Sequence, residues 1–193
     1  MTDPSADIIY VRAVSRETAK IALTLAVVND FTVKIAEIHN DYITAPIKEK
    51  IWTFTGREFS EHDGRKSILV CALYGLKISG DAFQNHLTEC MHHMVFSPYP
   101  DDLDIWTKPM VRPNYGFNYY AYVLIYVDDV MVINHDAESV ISRIDKYFKF
   151  KPSSIGDPNI YLGDKLNKMI LENGVWAWAN TPNKICQGIG DKH

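Results

Sequence analysis

The segment 118–134, NYYAYVLIYVDDVMVIN, places two adjacent carboxylates, Asp128 and Asp129, in the middle of an otherwise apolar run. Residues 119–126 and 130–133 are rich in Val, Ile and Tyr, which is typical of β-strands. Only a tight turn fits between them, and Asp favours turns because its side chain can bond its own backbone. The segment therefore predicts a buried β-hairpin that carries paired carboxylates at its tip.

Carboxylates fixed on a rigid hairpin suit hard divalent cations, which prefer oxygen ligands in near-octahedral geometry. Two such ions about 4 Å apart are the usual device for nucleotidyl and phosphoryl transfer. An Asp-Asp pair in a turn is, however, often only a solvated turn. The pair by itself leaves both a metal site and a plain turn open.

Length and composition predict one sizeable core in a globular protein, because 47% of the 193 residues are hydrophobic. No apolar stretch reaches the roughly 18 residues of a membrane span, since Asp128 and Asp129 break the longest run. The first residues lack the basic and apolar regions of a signal peptide. The three cysteines have no C-x-x-C spacing, which favours free thiols in a reducing compartment. We therefore expect an intracellular protein that is neither secreted nor embedded in a membrane.

The charge balance gives little support to independent binding of nucleic acid. A formal net charge of −4 with 20 basic residues is weak for a protein that must hold phosphate backbones. A site built around carboxylates is locally acidic in any case, so the balance does not exclude such a site.

Three segments have helical periodicity, and each has a capping residue at its start, namely Ser15, Ser79 or Asp136. The predicted helices are 14–29, with Ile21, Leu25 and Val28 at helical spacing; 79–96, with a buried stripe at Phe83, Leu87, Cys90, Met91 and Met94; and 136–148, with Val140, Ile141, Ile144, Tyr147 and Phe148 on one face.

Further strands and loops complete the predicted organisation. Helices mixed with antiparallel hairpins predict the α+β class, with an antiparallel sheet packed on helices. The predicted strands are 31–38, 49–54 and a strand or loop around 103–106. A final hairpin is predicted, in which 165–171 pairs with 175–179 and the chain turns at Asn173-Gly174. The predicted loops are 39–47 and 56–66, and the second is expected to be mobile.

Several motifs, in this order along the chain, resemble the reverse transcriptase domain of Ty1/copia-type retrotransposons. Residues 14–18, VSRET, resemble the family's VSR(D/E)T helix, and residues 33–46, VKIAEIHNDYITAP, resemble the strand that ends in its first catalytic carboxylate. Residues 71–80, CALYGLKISG, are similar to its LYGLKxSG segment, and residues 126–129 match its YVDD box. Residues 160–163, IYLG, resemble the (F/Y)LG that opens the following hairpin.

The resemblance covers residues 10–187 and implies the palm of a polymerase, with fingers and thumb largely missing. Residues 1–9 are then expected to form a disordered start and residues 188–193 a frayed tail. The implied function is that of an RNA-directed DNA polymerase, whose partners are a template-primer and a deoxynucleoside triphosphate. Other domains of a pol polyprotein would supply fingers, thumb and RNase H, in the cytoplasm or in virus-like particles.

The family's palm presents three carboxylates to two Mg²⁺ or Mn²⁺ ions, and the resemblance assigns these positions to Asp128, Asp129 and Glu37. Glu37 stands where the family pattern has Asp. Tyr42 lies at the position of the aromatic residue that discriminates between sugars. The other substrate-binding residues that the resemblance implies are Tyr126, Gly75, Lys77 and Gly80, and Arg16 is a further candidate for a phosphate contact.

Two alternatives without catalysis remain beside the polymerase. One is a decayed retroelement remnant, which is favoured by Glu37, by Asp41 at a position where the pattern has Ala, and by the short segment before residue 14. The other is a captured domain that binds protein or nucleic acid. A third hypothesis is a zinc site on one helix, formed by His86, Glu89, Cys90 and His93, although these side chains are spread over three successive turns of the helix, too widely for one ion.

Overall fold

The computed structural model describes residues 14–112 and 116–182. The predicted disordered start (1–9) and frayed tail (188–193) lie outside the described residues. Within the described part, two compact units are distinguished, one formed by residues 40–94 and the other by residues 14–39 with 95–182. No helix within this part is long and apolar enough to cross a membrane.

The larger unit is built on a five-stranded antiparallel sheet with the order β1-β7-β6-β5-β4. The predicted hairpin forms the middle of this sheet, because β6 and β7 pair in register from Tyr122 opposite Ile133 to Tyr126 opposite Asp129. The strands are β1 (Thr32–Glu37), β4 (Ser97–Tyr99), β5 (Asp102–Val111), β6 (Asn118–Tyr126) and β7 (Asp129–Asn134).

Helix α1 (Arg16–Val28) packs against β1 and β7. Ser15 caps it as predicted, since its side chain accepts a hydrogen bond of 3.1 Å from the Thr18 amide. The helix buries small residues, among them Ala22 and Ala26, which allow close approach to the sheet. The three apolar residues that recur at helical spacing in the sequence, Ile21, Leu25 and Val28, instead lie on its exposed side.

Helix α4 (Ala137–Ile144) packs against the same two strands, β1 and β7. Asp136 caps it as predicted, by accepting from the Ser139 amide at 3.0 Å. The helix ends at Ile144, earlier than predicted, and the chain continues in turns in which Phe148 is buried and Tyr147 is 45% exposed.

After α4, the chain runs back along the free edge of β1. Backbone hydrogen bonds join His39 to Lys149 (2.7 Å), Lys151 to Glu37 (2.8 Å) and Ile35 to Gly156 (2.9 Å). This return segment, residues 149–156, protects the edge of the sheet without forming a regular strand.

A three-stranded sheet, β10-β9-β8, completes this unit. Its strands are β8 (Ile160–Tyr161), β9 (Asp164–Ile170) and β10 (Trp176–Pro182). The predicted turn is confirmed, because Gly174 has a φ of 77° and the Asn173 side chain accepts from the Val175 amide.

The smaller unit contains a short helix α2 (Asp41–Thr44), a two-stranded sheet of β2 (Trp52–Phe54) and β3 (Lys66–Ile68), and helix α3 (Ser79–His93). Helix α2 occupies part of the predicted loop 39–47. The predicted loop 56–66 contains a 3₁₀ segment, Arg57–His62, which is kinked at Ser60.

Helix α3 buries all the residues of its predicted stripe but begins differently from the prediction. Ile78 occupies the N-cap position without a side-chain cap, and Ser79 is the first helical residue. The Ser79 hydroxyl donates instead to the Leu73 carbonyl at 2.6 Å, which ties the preceding loop to the helix. The prediction that Ser79 caps the helix is therefore wrong, because the Leu73 carbonyl competes for the same hydroxyl.

Candidate metal centre

The register between β1 and β7 places two acidic residues side by side. Glu37, the last residue of β1, lies directly opposite Asp129, the first residue of β7. Residues paired in this way have Cβ atoms about 4.5–5.5 Å apart. Two carboxylates from distant parts of the sequence thus share one end of the sheet.

The third carboxylate, Asp128, comes from the two-residue turn between β6 and β7. Its neighbour Val127 has a φ of 55°, in the left-handed region that a β-branched residue rarely adopts. The Asp128 carbonyl accepts a 2.8 Å hydrogen bond from the Ile38 amide, which ties the turn to the end of β1. The strained turn is therefore held against the strand that carries Glu37.

The three carboxylates converge, because one oxygen of each of Glu37, Asp128 and Asp129 lies within 4.8 Å of the others. Burial, followed by the charges of Asp128 and Glu37 and opposed by that of Lys151, raises the pKa of Asp129 from 3.8 to about 6. Concentrated negative charge of this kind at a partly buried site is what a bound cation relieves.

Lys151, from the return segment, lies among these carboxylates. Its ammonium bonds Glu37 Oε1, and its Nζ lies 3.9 Å from Asp128 Oδ2. The hydrogen bond to Glu37, followed by the charges of Glu37, Asp128 and Asp129, raises the Lys151 pKa. Nothing in the sequence indicates this residue, because the return segment has no periodicity and only its pairing with β1 brings Lys151 to the site.

The donor set fits Mg²⁺ or Mn²⁺. All three groups offer hard oxygen atoms, and ligands on opposite sides of one Mg²⁺ lie about 4.2 Å apart. A spread of 4.8 Å is close to that value, so the three carboxylates, from two strands and a turn, could together hold a divalent cation. No other group of this kind occurs in residues 14–112 and 116–182.

The helix residues His86, Glu89, Cys90 and His93 accordingly do not converge on one point. Cys90 is buried, and its burial raises its pKa to about 11, which disfavours the thiolate that binds zinc.

The remaining predicted site residues divide between the two units. Tyr126, at the end of β6, is 37% exposed beside the carboxylates. In the smaller unit, the half-buried Tyr42 ring meets Tyr74 edge-on at 4.9 Å and lies 6.1 Å from Phe83. Tyr42 thus belongs to an aromatic cluster.

Three further predicted contacts lie around the start of α3. Gly75 has a φ of 91° in an exposed turn, a conformation that favours glycine. Lys77 is exposed, and Gly80 is the second residue of α3. Arg16, in contrast, is engaged within the larger unit, where it bonds the Leu162 carbonyl at 3.4 Å and pairs with Asp164 at 3.8 Å.

One protein-family model matches most of the chain. The model described as reverse transcriptase (RNA-dependent DNA polymerase) matches residues 6–177, which include all three carboxylates. No curated protein gives a significant match. Because the match spans most of its length, the chain belongs to the reverse transcriptase (RNA-dependent DNA polymerase) family.

Proposed function

We propose that this chain is the palm of a Ty1/copia-type reverse transcriptase, which adds deoxynucleotides to a primer under the direction of a template by two-metal nucleotidyl transfer. The observation that carries the proposal is the convergence of Glu37, Asp128 and Asp129 within 4.8 Å, in a chain of the reverse transcriptase family. The YVDD turn and the strand before Ala45-Pro46 supply these residues, in the order of the Ty1/copia pattern.

In this proposal the carboxylates hold the cations, and the strained turn fixes their positions. Bound ions would lower the pKa of the primer 3′-hydroxyl and offset charge on the leaving pyrophosphate. The rigid attachment of Asp128 to the end of β1 matters, because a misplacement of about 1 Å costs on the order of 100-fold in rate.

Glu37 replaces the aspartate of the Ty1/copia pattern with a side chain that is longer by one methylene. Its carboxylate nevertheless lies with those of Asp128 and Asp129. We propose that Glu37 is a metal ligand, and that its charge and oxygen atoms are what the position requires.

We further propose that Tyr42 contacts the sugar of the incoming nucleotide, and that Tyr126, Gly75, Lys77 and Gly80 contact the primer, template or nucleotide. The family pattern supports these roles. The exposure of Tyr126, Gly75 and Lys77 is compatible with contact to a ligand.

The test measures Mn²⁺ binding by electron paramagnetic resonance and primer extension on an RNA template in the same preparations. We expect the chain to bind Mn²⁺ and extend the primer, and Asp128→Ala to abolish both. Glu37→Gln, which removes a charge but keeps the shape, should weaken Mn²⁺ binding on the order of tenfold, whereas Glu37→Asp should retain it. The matched control is Asp101→Asn, at an exposed turn between β4 and β5.

The two readouts separate the alternatives. Mn²⁺ binding that depends on Asp128, without primer extension, would support the metal centre but refute polymerase activity. That result is the one expected of a decayed copy. Binding that Asp128→Ala leaves unchanged would refute the metal centre itself.

A further inference from the structure

One cation of the protein itself already lies among the three proposed metal ligands. The Lys151 ammonium bonds Glu37 Oε1 and lies 3.9 Å from Asp128 Oδ2. A carboxylate oxygen bonded to an ammonium is not free to coordinate a metal ion in the same direction. The metal-free site thus has an occupant that must move before Glu37 serves as a ligand.

The backbone directs Lys151 to this position. The Lys151 amide donates to the Glu37 carbonyl at 2.8 Å, and the Glu37 amide donates to the Ser154 hydroxyl at 3.1 Å. The same hydroxyl donates to the Lys151 carbonyl at 2.9 Å. The base of the lysine is therefore fixed next to Glu37, while its long stem remains flexible.

The exposure of the pair allows the ammonium to leave. The side chains of Lys151, Glu37 and Asp128 are 39%, 37% and 34% exposed, so water reaches all three. Lys34 provides a contrast within the same unit, because its side chain is only 18% exposed and it pairs with Glu138 and Asp157, each at 3.1 Å, outside the carboxylate site.

We propose that Lys151 is the resident counter-ion of the metal-free site, and that a divalent cation binds by displacing its ammonium from Glu37. The inference rests on the proposed metal centre and adds a competitor to it. Lys151 offsets part of the repulsion between three carboxylates when no metal is present. It thereby keeps the ligands together, and it lowers the affinity for the metal that replaces it.

Two effects of removing the charge follow. Lys151→Gln should tighten Mn²⁺ binding on the order of tenfold, which corresponds to the loss of one partly exposed, charge-assisted hydrogen bond. The same variant should unfold at a lower temperature than the wild type in EDTA, because the carboxylates then lose the positive charge of Lys151. Saturating Mn²⁺ should remove that difference. Lys151→Arg, which keeps the charge, should resemble the wild type in both respects.

The experiment titrates Mn²⁺ into the wild type, Lys151→Gln and Lys151→Arg at neutral pH, with free Mn²⁺ measured by electron paramagnetic resonance and unfolding followed with and without metal. Lys149→Gln is the matched control, because Lys149 is an exposed lysine of the same segment and its replacement changes the net charge equally. If Lys151→Gln proves unstable, Lys151→Met removes the charge while keeping most of the aliphatic stem.

Tighter binding in Lys151→Gln or Lys151→Met, but not in Lys149→Gln, supports the inference. Equal affinities in the wild type and in the variants that lack the Lys151 charge overturn it and leave the metal centre intact. Equal tightening in Lys149→Gln also overturns it, since net charge alone would then explain the effect. No Mn²⁺ binding in any of these proteins overturns the metal centre and the role of Lys151 together.

Discussion

Replacing Asp129 by Asn should stabilise the metal-free protein above about pH 6, although Asp129 is a proposed metal ligand. The structure raises the pKa of this carboxyl from 3.8 to about 6, first by burial and then through Asp128 and Glu37. The folded state therefore holds a proton that the unfolded chain releases at lower pH. Because the folded state binds more protons between these two values, stability falls as the pH rises through them.

The size of the effect follows from the same values. At about 1.4 kcal/mol for each pKa unit, the ionised carboxyl costs the folded state at most about 3 kcal/mol. Asp129 is only partly buried, so solvent screening reduces this cost, and we expect Asp129→Asn to gain about 1–2 kcal/mol. In a domain of this size each kcal/mol corresponds to about 2–4 °C in the midpoint of thermal unfolding.

The assay is thermal and urea unfolding in EDTA from about pH 3 to about pH 8, a range that spans both pKa values. The gain should be full at the upper end and should vanish near the lower end, where both proteins are uncharged at this position. Asp101→Asn is the control for loss of an exposed charge. An Asp129→Asn variant that is no more stable than the wild type at the upper end, or equally stabilised at both ends, would refute the reasoning.

Two other substitutions test how the site and its support are built. Val127→Gly should stabilise the metal-free protein by about 1 kcal/mol, since glycine tolerates the φ of 55° at no steric cost. The greater conformational entropy of glycine in the unfolded chain offsets part of the gain. A lower urea midpoint would instead show that the valine side chain contributes packing. Arg16→Ala should destabilise the fold by about 1–2 kcal/mol, because it leaves the Asp164 side chain, only 6% exposed, without its cation at 3.8 Å. The double variant Arg16→Ala/Asp164→Ala should recover part of this loss in the same unfolding assay, and a purely additive result would mean that the pair is not coupled.

Features with a local cause could be predicted from the sequence. The hairpin around Asp128 follows from β-branched and aromatic runs on both sides of a turn. The caps Ser15 and Asp136 follow from side chains that satisfy amides within the next turn. The α+β class and the stripe of α3 follow from periodicity in the same way.

Features that depend on non-local competition could not be predicted. Helix α1 has apolar residues on more than one side, and only packing against β1, β7 and β10 determines that its alanine-rich side is buried while Val28 is 75% exposed. Strand β5 extends through Pro109, beyond the predicted 103–106. Pro109 is tolerated there because it lies past the residues of β5 that pair with β4, where β5 has β6 as its partner.

The candidate site likewise combines features that have a local cause with features that depend on non-local contacts. That Asp128 and Asp129 share a hairpin could be predicted from the sequence, because residues adjacent in the chain are adjacent in any fold. Only the tertiary structure placed Glu37 opposite Asp129, through the register of two strands that are more than 90 residues apart in sequence. It also brought Lys151 to Glu37 and Asp128, through a segment whose backbone has no repeating pattern and is ordered by its hydrogen bonds to the edge of β1.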